Sequence, residues 1–141
     1  MAKKPKKLGK DKTVAEWLLP KLRDLSRQWP RKGVAQAKAR VKVESGEFYK
    51  NGNPIILTKY KCAICGGLFD KEEVDVDHIQ AVVGLDGFTN WDDYINNLFC
   101  DSDNLQILCK ADHYLKSQAE NAERRERKKL AKNIKKDDNL Y

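Results

Sequence analysis

All four cysteines and both histidines of the chain lie between Cys62 and His113. This interval opens with a Cys-x-x-Cys pair, Cys62 and Cys65, which two glycines follow. Two thiolates at this spacing can bind one tetrahedral zinc ion, and glycine permits the tight turn after them. A redox pair is the alternative, but such pairs usually lie in a βαβ context, which the flanking sequence lacks. The pair therefore predicts a metal knuckle that residues further along the chain complete.

A metal knuckle suits the composition, because the predicted core is small. Charged residues make up 35% of the 141 residues, and the mean hydropathy is −0.75. Small cores of this kind are often stabilised by a metal or by disulfides. No apolar signal core follows the basic N-terminus, and no apolar run reaches membrane length. We therefore expect an intracellular protein without a membrane partner, in which reduced thiols favour metal over disulfides.

The sequence predicts one domain with four segments along the chain. Residues 1–12 are expected to form a disordered basic arm, which either contacts phosphates or is a solvated tail. Residues 13–54 are expected to form a helical lead-in. Residues 55–132 carry the metal motifs and a C-terminal helix, and residues 133–141 are expected to fray.

Local signals predict the first helix in detail. Thr13 is the expected N-cap, and Glu16 completes a capping box. Pro20 is expected to kink or split the helix, which should end at Trp29 because the next residue is proline. Trp17 is expected to pack in the core. The later predicted elements are a helix over about 34–41, a loop over 45–54, strands over 55–60 and 74–79, a short helix over 90–99, an apolar strand or turn over 105–108, and a charged helix from about 111 to 132.

Asp77 and His78 place a hard oxygen ligand beside an imidazole in the alternating segment 74–79. Strict alternation points these two side chains to opposite faces of a strand. Joint action therefore requires the strand to bend or end at this point. The alternative is an edge strand whose acidic side chains face water.

Taken in order, these motifs resemble the HNH endonucleases of the ββα-metal, or His-Me finger, class. The resemblance covers roughly residues 60–117 and is greatest to small free-standing enzymes of tailed phages, which share a tryptophan-containing helix, here with Trp91. It implies an α+β fold with a small ββα-metal nuclease core and a zinc knuckle, preceded by helices and followed by a basic helix. The matching residues are Cys62, Cys65, Asp77, His78, the segment from Asn104 to Cys109, His113, Lys116 and Ser117.

The resemblance implies metal-dependent hydrolysis of phosphodiester bonds in double-stranded DNA. His78 is the implied general base. Asp77 and His113 are the implied ligands of a catalytic divalent cation, which is Mg²⁺, Mn²⁺, Ni²⁺ or Zn²⁺. Asn104 is expected to orient His78 or to hold the nearby loop through amide hydrogen bonds. Lys116, one helical turn beyond His113, is expected to contact a phosphate.

The zinc ligands depart from the family in one position. The family commonly ends Leu-Cys-x-x-Cys-His, whereas this chain has Asp112 in place of the second cysteine of that pattern. Carboxylate oxygen can bind zinc, so Cys62, Cys65, Cys109 and Asp112 form the predicted structural site. Cys100 is the alternative fourth ligand, and its other interpretation is a small buried apolar residue.

The net charge of +7 favours a polyanionic partner. Two other functions remain open: a non-catalytic zinc module that binds nucleic acid, and an RNA-binding or ribosome-associated protein, which no aromatic stacking motif supports. A phage-encoded enzyme would act in the cytoplasm of an infected host. The predicted phosphate-binding residues are Lys3, Lys4, Lys6, Lys7, Lys116, Arg124, Arg125, Lys128 and Lys129.

Overall fold

The computed structural model describes residues 13–137, and this part of the chain has an α+β fold. It contains four α-helices and two small antiparallel sheets, of strand order β1-β2-β3 and β4-β5. None of the described helices is both long and apolar enough to cross a membrane. The elements in chain order are α1 Val14–Ser26, α2 Pro30–Ala39, β1 Arg40–Phe48, β2 Pro54–Lys61, β3 Leu68–Phe69, β4 Val74–His78, α3 Trp91–Leu98, β5 Leu105–Cys109 and α4 Lys110–Asp137.

The capping box predicted for α1 is confirmed. The Thr13 hydroxyl accepts from the Glu16 amide at 3.2 Å, and the Glu16 carboxylate accepts from the Thr13 amide at 2.9 Å. Pro20 lies inside α1 without splitting it, and the helix ends at Ser26. Trp17 is 59% exposed, so its predicted place in the core is wrong. Trp29 instead fixes this region, because its indole N–H donates to the Cys100 carbonyl at 2.7 Å.

A strand replaces part of the predicted lead-in. The prediction of a loop over 45–54 is wrong for residues 45–48, since β1 runs from Arg40 to Phe48 and pairs antiparallel with β2, and it is confirmed for residues 49–53, which join the two strands. The predicted helix over 34–41 is α2, but it starts at Pro30 and ends at Ala39. The hydrogen bonds of β1 come from the next strand, β2, and strand formation depends on such pairing more than on the propensity of single residues, which explains the error. Residues 13–54 are therefore not helical throughout.

The antiparallel pair of β4 and β5, which residues 79–104 connect, contributes to the core and has two different faces. Asp77 pairs with Gln106, and His78 pairs with Leu105. On one face, Val74 and Ile107 form the core together with Tyr60 of β2. Because successive side chains of a strand point to opposite faces, Asp75 and Asp77 lie on the other face of β4. That face is directed toward α4, which packs against both strands. The strand β4 ends at His78, as joint action of Asp77 and His78 requires.

The last helix extends beyond its predicted end. α4 runs from Lys110 to Asp137, so the predicted fraying from residue 133 is wrong as far as Asp137. Residues 138–141 lie outside the described part of the chain, as does the predicted basic arm of residues 1–12. The short helix α3 is confirmed, with Asn90 as its N-cap.

Candidate active site and metal cluster

Cys62, Cys65, Cys109 and Asp112 form a cluster that can hold a metal ion. Their potential ligand atoms all lie within 4.8 Å of one another. Asp112 Oδ2 lies 3.2 Å from Cys62 Sγ and 3.3 Å from Cys109 Sγ. Thiolate sulfurs around one tetrahedral zinc lie about 3.8 Å apart, given Zn–S bonds of about 2.3 Å. The distances between the four potential ligand atoms are therefore close to those in a tetrahedral zinc site.

The cluster joins two distant parts of the chain. Cys62 directly follows β2, and the tight turn after it is closed by the Gly66 amide, which donates to the Cys62 carbonyl at 3.0 Å. Gly66 has φ +71°, a conformation that favours glycine. Cys109 is the last residue of β5, and Asp112 lies in the first turn of α4. An ion at this cluster would therefore tie the knuckle to the start of α4.

Among the described residues, Asp112 rather than Cys100 completes the group. Cys100 is half-buried near Trp29 and lies outside the cluster. Hydrogen bonds from the thiols of Cys62, Cys65 and Cys109 lower the pKa of Asp112. The carboxylate is thus held in its charged form, which is the form that binds a metal ion.

A cavity of about 270 Å³ brings together the residues predicted for catalysis. Asp77 and His78 line it from the end of β4, and His113 lines it from the first turns of α4. The loop after β4 contributes Ala81, Val82 and Val83. The charged residues that line it are Asp77, Lys116, Glu120, Arg124 and Arg23 of α1. The N-terminal helix is therefore part of this cleft, a contribution that the sequence did not predict.

Asp75 fixes the orientation of the His113 ring. His113 Nδ1 lies 3.0 Å from Asp75 Oδ2, and Lys110 Nζ donates to Asp75 Oδ1 at 2.6 Å. Burial raises the pKa of Asp75, but the hydrogen bonds from Lys110 and His113 outweigh it and bring this pKa below its usual value. An ionised carboxylate only accepts, so the proton of His113 is assigned to Nδ1. In the neutral ring, Nε2 then keeps its lone pair.

His113 Nε2 and Asp77 Oδ1 face each other at 3.7 Å. Both atoms are ligands rather than donors when the imidazole is neutral. Bonds of about 2.1 Å, as Mg²⁺ makes, reach one ion from atoms up to about 4.2 Å apart. Asp77 Oδ2 is occupied separately by Gln106 Nε2, which donates to it at 3.0 Å. The pair thus fits one divalent cation, with one carboxylate oxygen and one imidazole nitrogen as protein ligands.

Lys116 has a partner for each of its three N–H donors. Its ammonium lies 2.8 Å from Asp77 Oδ2 and 3.0 Å from Glu120 Oε1. It also donates to the His78 carbonyl at 2.8 Å. Burial alone lowers the pKa of Lys116, but Asp77 and Glu120 raise it above its usual value. Lys116 thus holds the backbone and side chain of the Asp-His pair, and its phosphate contact stays a prediction.

His78 is oriented by the end of α3. Its Nε2 lies 3.1 Å from the Leu98 carbonyl, which can only accept, so Nε2 carries the proton. The lone pair of the neutral ring is then on Nδ1. Burial lowers the pKa of His78, and the charges of Lys32 and Lys116 act in the same direction. At neutral pH the ring is therefore a neutral imidazole with a free basic nitrogen.

Asn104 holds the two residues that follow His78. Its side-chain oxygen accepts from the Gln80 amide at 3.0 Å, and its side-chain nitrogen donates to the Gln80 carbonyl at 3.5 Å. The Asn104 carbonyl also accepts from the Ile79 amide at 2.9 Å. Asn104 was expected either to orient His78 or to hold the nearby loop, and the structure shows the second of these roles.

Arg124 faces the cleft rather than open solvent. Its Nη2 donates to the Val83 carbonyl at 2.8 Å, while its Nε is buried without a hydrogen-bond partner among residues 13–137. Arg125 and Lys128, also predicted to contact phosphates, are exposed on α4. Arg127, which was not predicted, binds Asp86 of the same loop at 3.3 Å. α4 thus holds the loop between β4 and α3 through two arginines.

The sequence interpretation missed Asp75 and Lys110. Asp75 lies two residues before Asp77, so alternation places both carboxylates on the same face of β4. Lys110 lies three residues before His113, on the adjacent turn of α4. These spacings were the available signal, but they predict the contacts of Asp75 with Lys110 and His113 only once α4 is known to pack against β4.

Comparisons with protein-family models, with curated proteins and with solved structures found no match to this chain.

Proposed function

We propose that the protein is a metal-dependent endonuclease of the HNH type that hydrolyses phosphodiester bonds in DNA. The observation that carries the proposal is the arrangement of Asp77 and His113, whose ligand atoms face each other at 3.7 Å. The basic nitrogen of His78 belongs to a ring that lines the same cavity. A cation site beside a neutral imidazole supports hydrolysis by an activated water.

In this mechanism, His78 is the general base. Its Nδ1 takes a proton from the water that attacks phosphorus, and the bond from phosphorus to the leaving 3′ oxygen breaks. The Leu98 carbonyl stabilises the imidazolium that forms, because it already accepts from Nε2–H at 3.1 Å. A divalent cation held by Asp77 and His113 supplies, when bound, positive charge for the phosphate and the leaving oxygen.

The surrounding residues keep this arrangement in place. Asp75 orients His113, Lys116 and Gln106 orient Asp77, and Asn104 holds the chain after His78. We assign a structural zinc ion to the cysteine and aspartate cluster. Cys109 and Asp112 lie within four residues of His113, so the zinc fixes the first turn of α4 and with it the position of His113.

The test is cleavage of supercoiled plasmid by zinc-containing protein, with each candidate divalent cation and with none added. We expect cleavage with at least one cation, and a loss of about 10²–10⁴-fold in the His78→Ala variant. Tyr114→Ala is the matched control, because Tyr114 is 63% exposed on α4 and does not line the cavity. Cleavage at an unchanged rate in His78→Ala would refute the assignment of the base.

A non-catalytic zinc module is the second candidate. The exposed basic side chains of α4 beside the cysteine cluster favour it. Such a module does not require the contacts of His113 with Asp75 at one ring nitrogen and with Asp77 at the other. The same experiment separates the two functions, because the module would bind the plasmid under all conditions without cutting it.

A further inference from the structure

The ammonium of Lys116 lies beside the proposed cation site and shares its carboxylate. Lys116 Nζ is 2.8 Å from Asp77 Oδ2, while the other oxygen, Oδ1, faces His113. The lysine side chain is only 20% exposed, so water screens this charge less than it screens a surface lysine. A divalent cation on Asp77 Oδ1 would therefore meet a fixed positive charge on the same carboxylate.

The charges lining the cavity add to this repulsion. Three cationic side chains, Arg23, Lys116 and Arg124, stand against two anionic ones, Asp77 and Glu120. The formal charge of the lining is thus +1, counting the histidines as neutral. A divalent cation gains little from such a lining, whereas an anionic phosphate is attracted to it.

We propose that Lys116 keeps the cation site weak in free protein, so that the divalent cation and a DNA phosphate bind cooperatively. The inference rests on the proposed function, since it places the cation on Asp77 and His113. A phosphate in the cavity, with its single negative charge, neutralises the +1 charge of the lining and offers further oxygen ligands. Because coupling is reciprocal, the cation must raise the affinity for DNA by the same factor.

The first measurement is Mn²⁺ binding by zinc-containing His78→Ala protein, followed by electron paramagnetic resonance of free Mn²⁺. The variant is expected to cleave DNA about 10²–10⁴-fold more slowly, so the duplex should persist during the titration. We expect a short duplex to raise the Mn²⁺ affinity about tenfold or more, after correction for Mn²⁺ bound by the duplex alone. Equal affinity with and without DNA would overturn the inference.

The second measurement removes the charge of Lys116. In His78→Ala protein that also carries Lys116→Met, we expect Mn²⁺ affinity without DNA to rise about tenfold. The enhancement by DNA should shrink in parallel. Lys59→Met is the matched control, because Lys59 also lies 2.6 Å from an aspartate, Asp70, but does not line the cavity. Unchanged or weaker Mn²⁺ binding in folded Lys116→Met protein would overturn the inference.

The two proposals fail in different ways. Absence of cleavage by wild-type protein, together with Mn²⁺ binding that DNA enhances, would refute the nuclease and leave the coupling intact. If wild-type protein cleaves DNA but the Mn²⁺ affinity is the same with and without DNA, only the coupling is refuted.

Discussion

Asp75 acts on the proposed reaction through His113 rather than by contact with DNA. Its carboxylate holds Nδ1–H of His113 at 3.0 Å, and Lys110 holds the carboxylate in turn. Partners of this kind orient a ligating imidazole and raise its basicity. Asp75 is thus a positioning residue for the cation.

We predict that Asp75→Asn weakens the cation site about 10–100-fold, because the neutral amide no longer favours the tautomer with Nε2 free. The measurement is the Mn²⁺ concentration that gives half-maximal plasmid cleavage. Asp70→Asn is the control, since Asp70 also pairs with a lysine but lies away from the cavity. Equal midpoints for Asp75→Asn and wild type would show that His113 needs no such support.

The sequence predicted several residues of the candidate site but not all of their contacts. Asp77, His78 and His113 were predicted together, and the structure places all three at one cavity. Lys116 was predicted on the correct side of the helix, but its two carboxylate partners, Asp77 and Glu120, were not, because only the folded chain brings Asp77 to α4. The role of Asp75 depends on the register of α4 against β4, which no local pattern encodes.

Helices and strands were predicted correctly where the local sequence carries a clear signal for them. α1 and α3 were predicted from side-chain caps that the structure contains, at Thr13 and Asn90. β4 was predicted from alternation. β1 was missed because Ser45 and Gly46 are typical of a loop, and its partner β2 lies beyond an intervening turn. The extension of α4 to Asp137 was missed because the surface of this helix carries charges along its length.

We expect the start of α4 to depend on an ion bound by Cys62, Cys65, Cys109 and Asp112. We expect about one zinc per chain, which Asp112→Ala releases during dialysis against a chelator. Loss of the ion should also lower the melting temperature, because the knuckle and the helix are no longer linked. Zinc content by elemental analysis and circular dichroism measure the two effects.

Cys100→Ala is the matched control, because Cys100 lies outside the cluster and should leave zinc in place. Asp112→Cys should retain the ion with four thiolates, which zinc accepts. Release of zinc by Cys100→Ala, with retention in Asp112→Ala, would contradict the ligand set.

For the whole molecule, the distribution of charge is uneven. Residues 1–12 hold six lysines and one aspartate, a net charge of +5 out of the total of +7. The remaining residues, 13–141, therefore carry only +2. Long-range attraction to DNA should come largely from the arm.

We predict that deletion of residues 1–12 weakens DNA binding about equally for all sequences. The slope of log affinity against log salt should become shallower by ~0.9 for each phosphate that the arm neutralises in the full-length protein. The measurement is a salt titration with two unrelated duplexes and protein inactivated by His78→Ala. Replacement of Lys3, Lys4, Lys6 and Lys7 by glutamine should reproduce much of the effect at full length. An unchanged slope would identify the arm as a solvated tail.

The cluster of Cys62, Cys65, Cys109 and Asp112 also constrains the order of events during synthesis. Its first two thiols leave the ribosome 44 residues before Cys109, the interval that separates Cys65 from it. At about 5–20 residues per second this takes roughly 2–9 s. During that time the knuckle has two of its four ligands, and His113 has not yet been made. The nascent chain therefore completes the four residues of the predicted zinc cluster before it adds His113, the last ligand of the proposed cation site, so the proposed reaction would require a chain that has already passed this point.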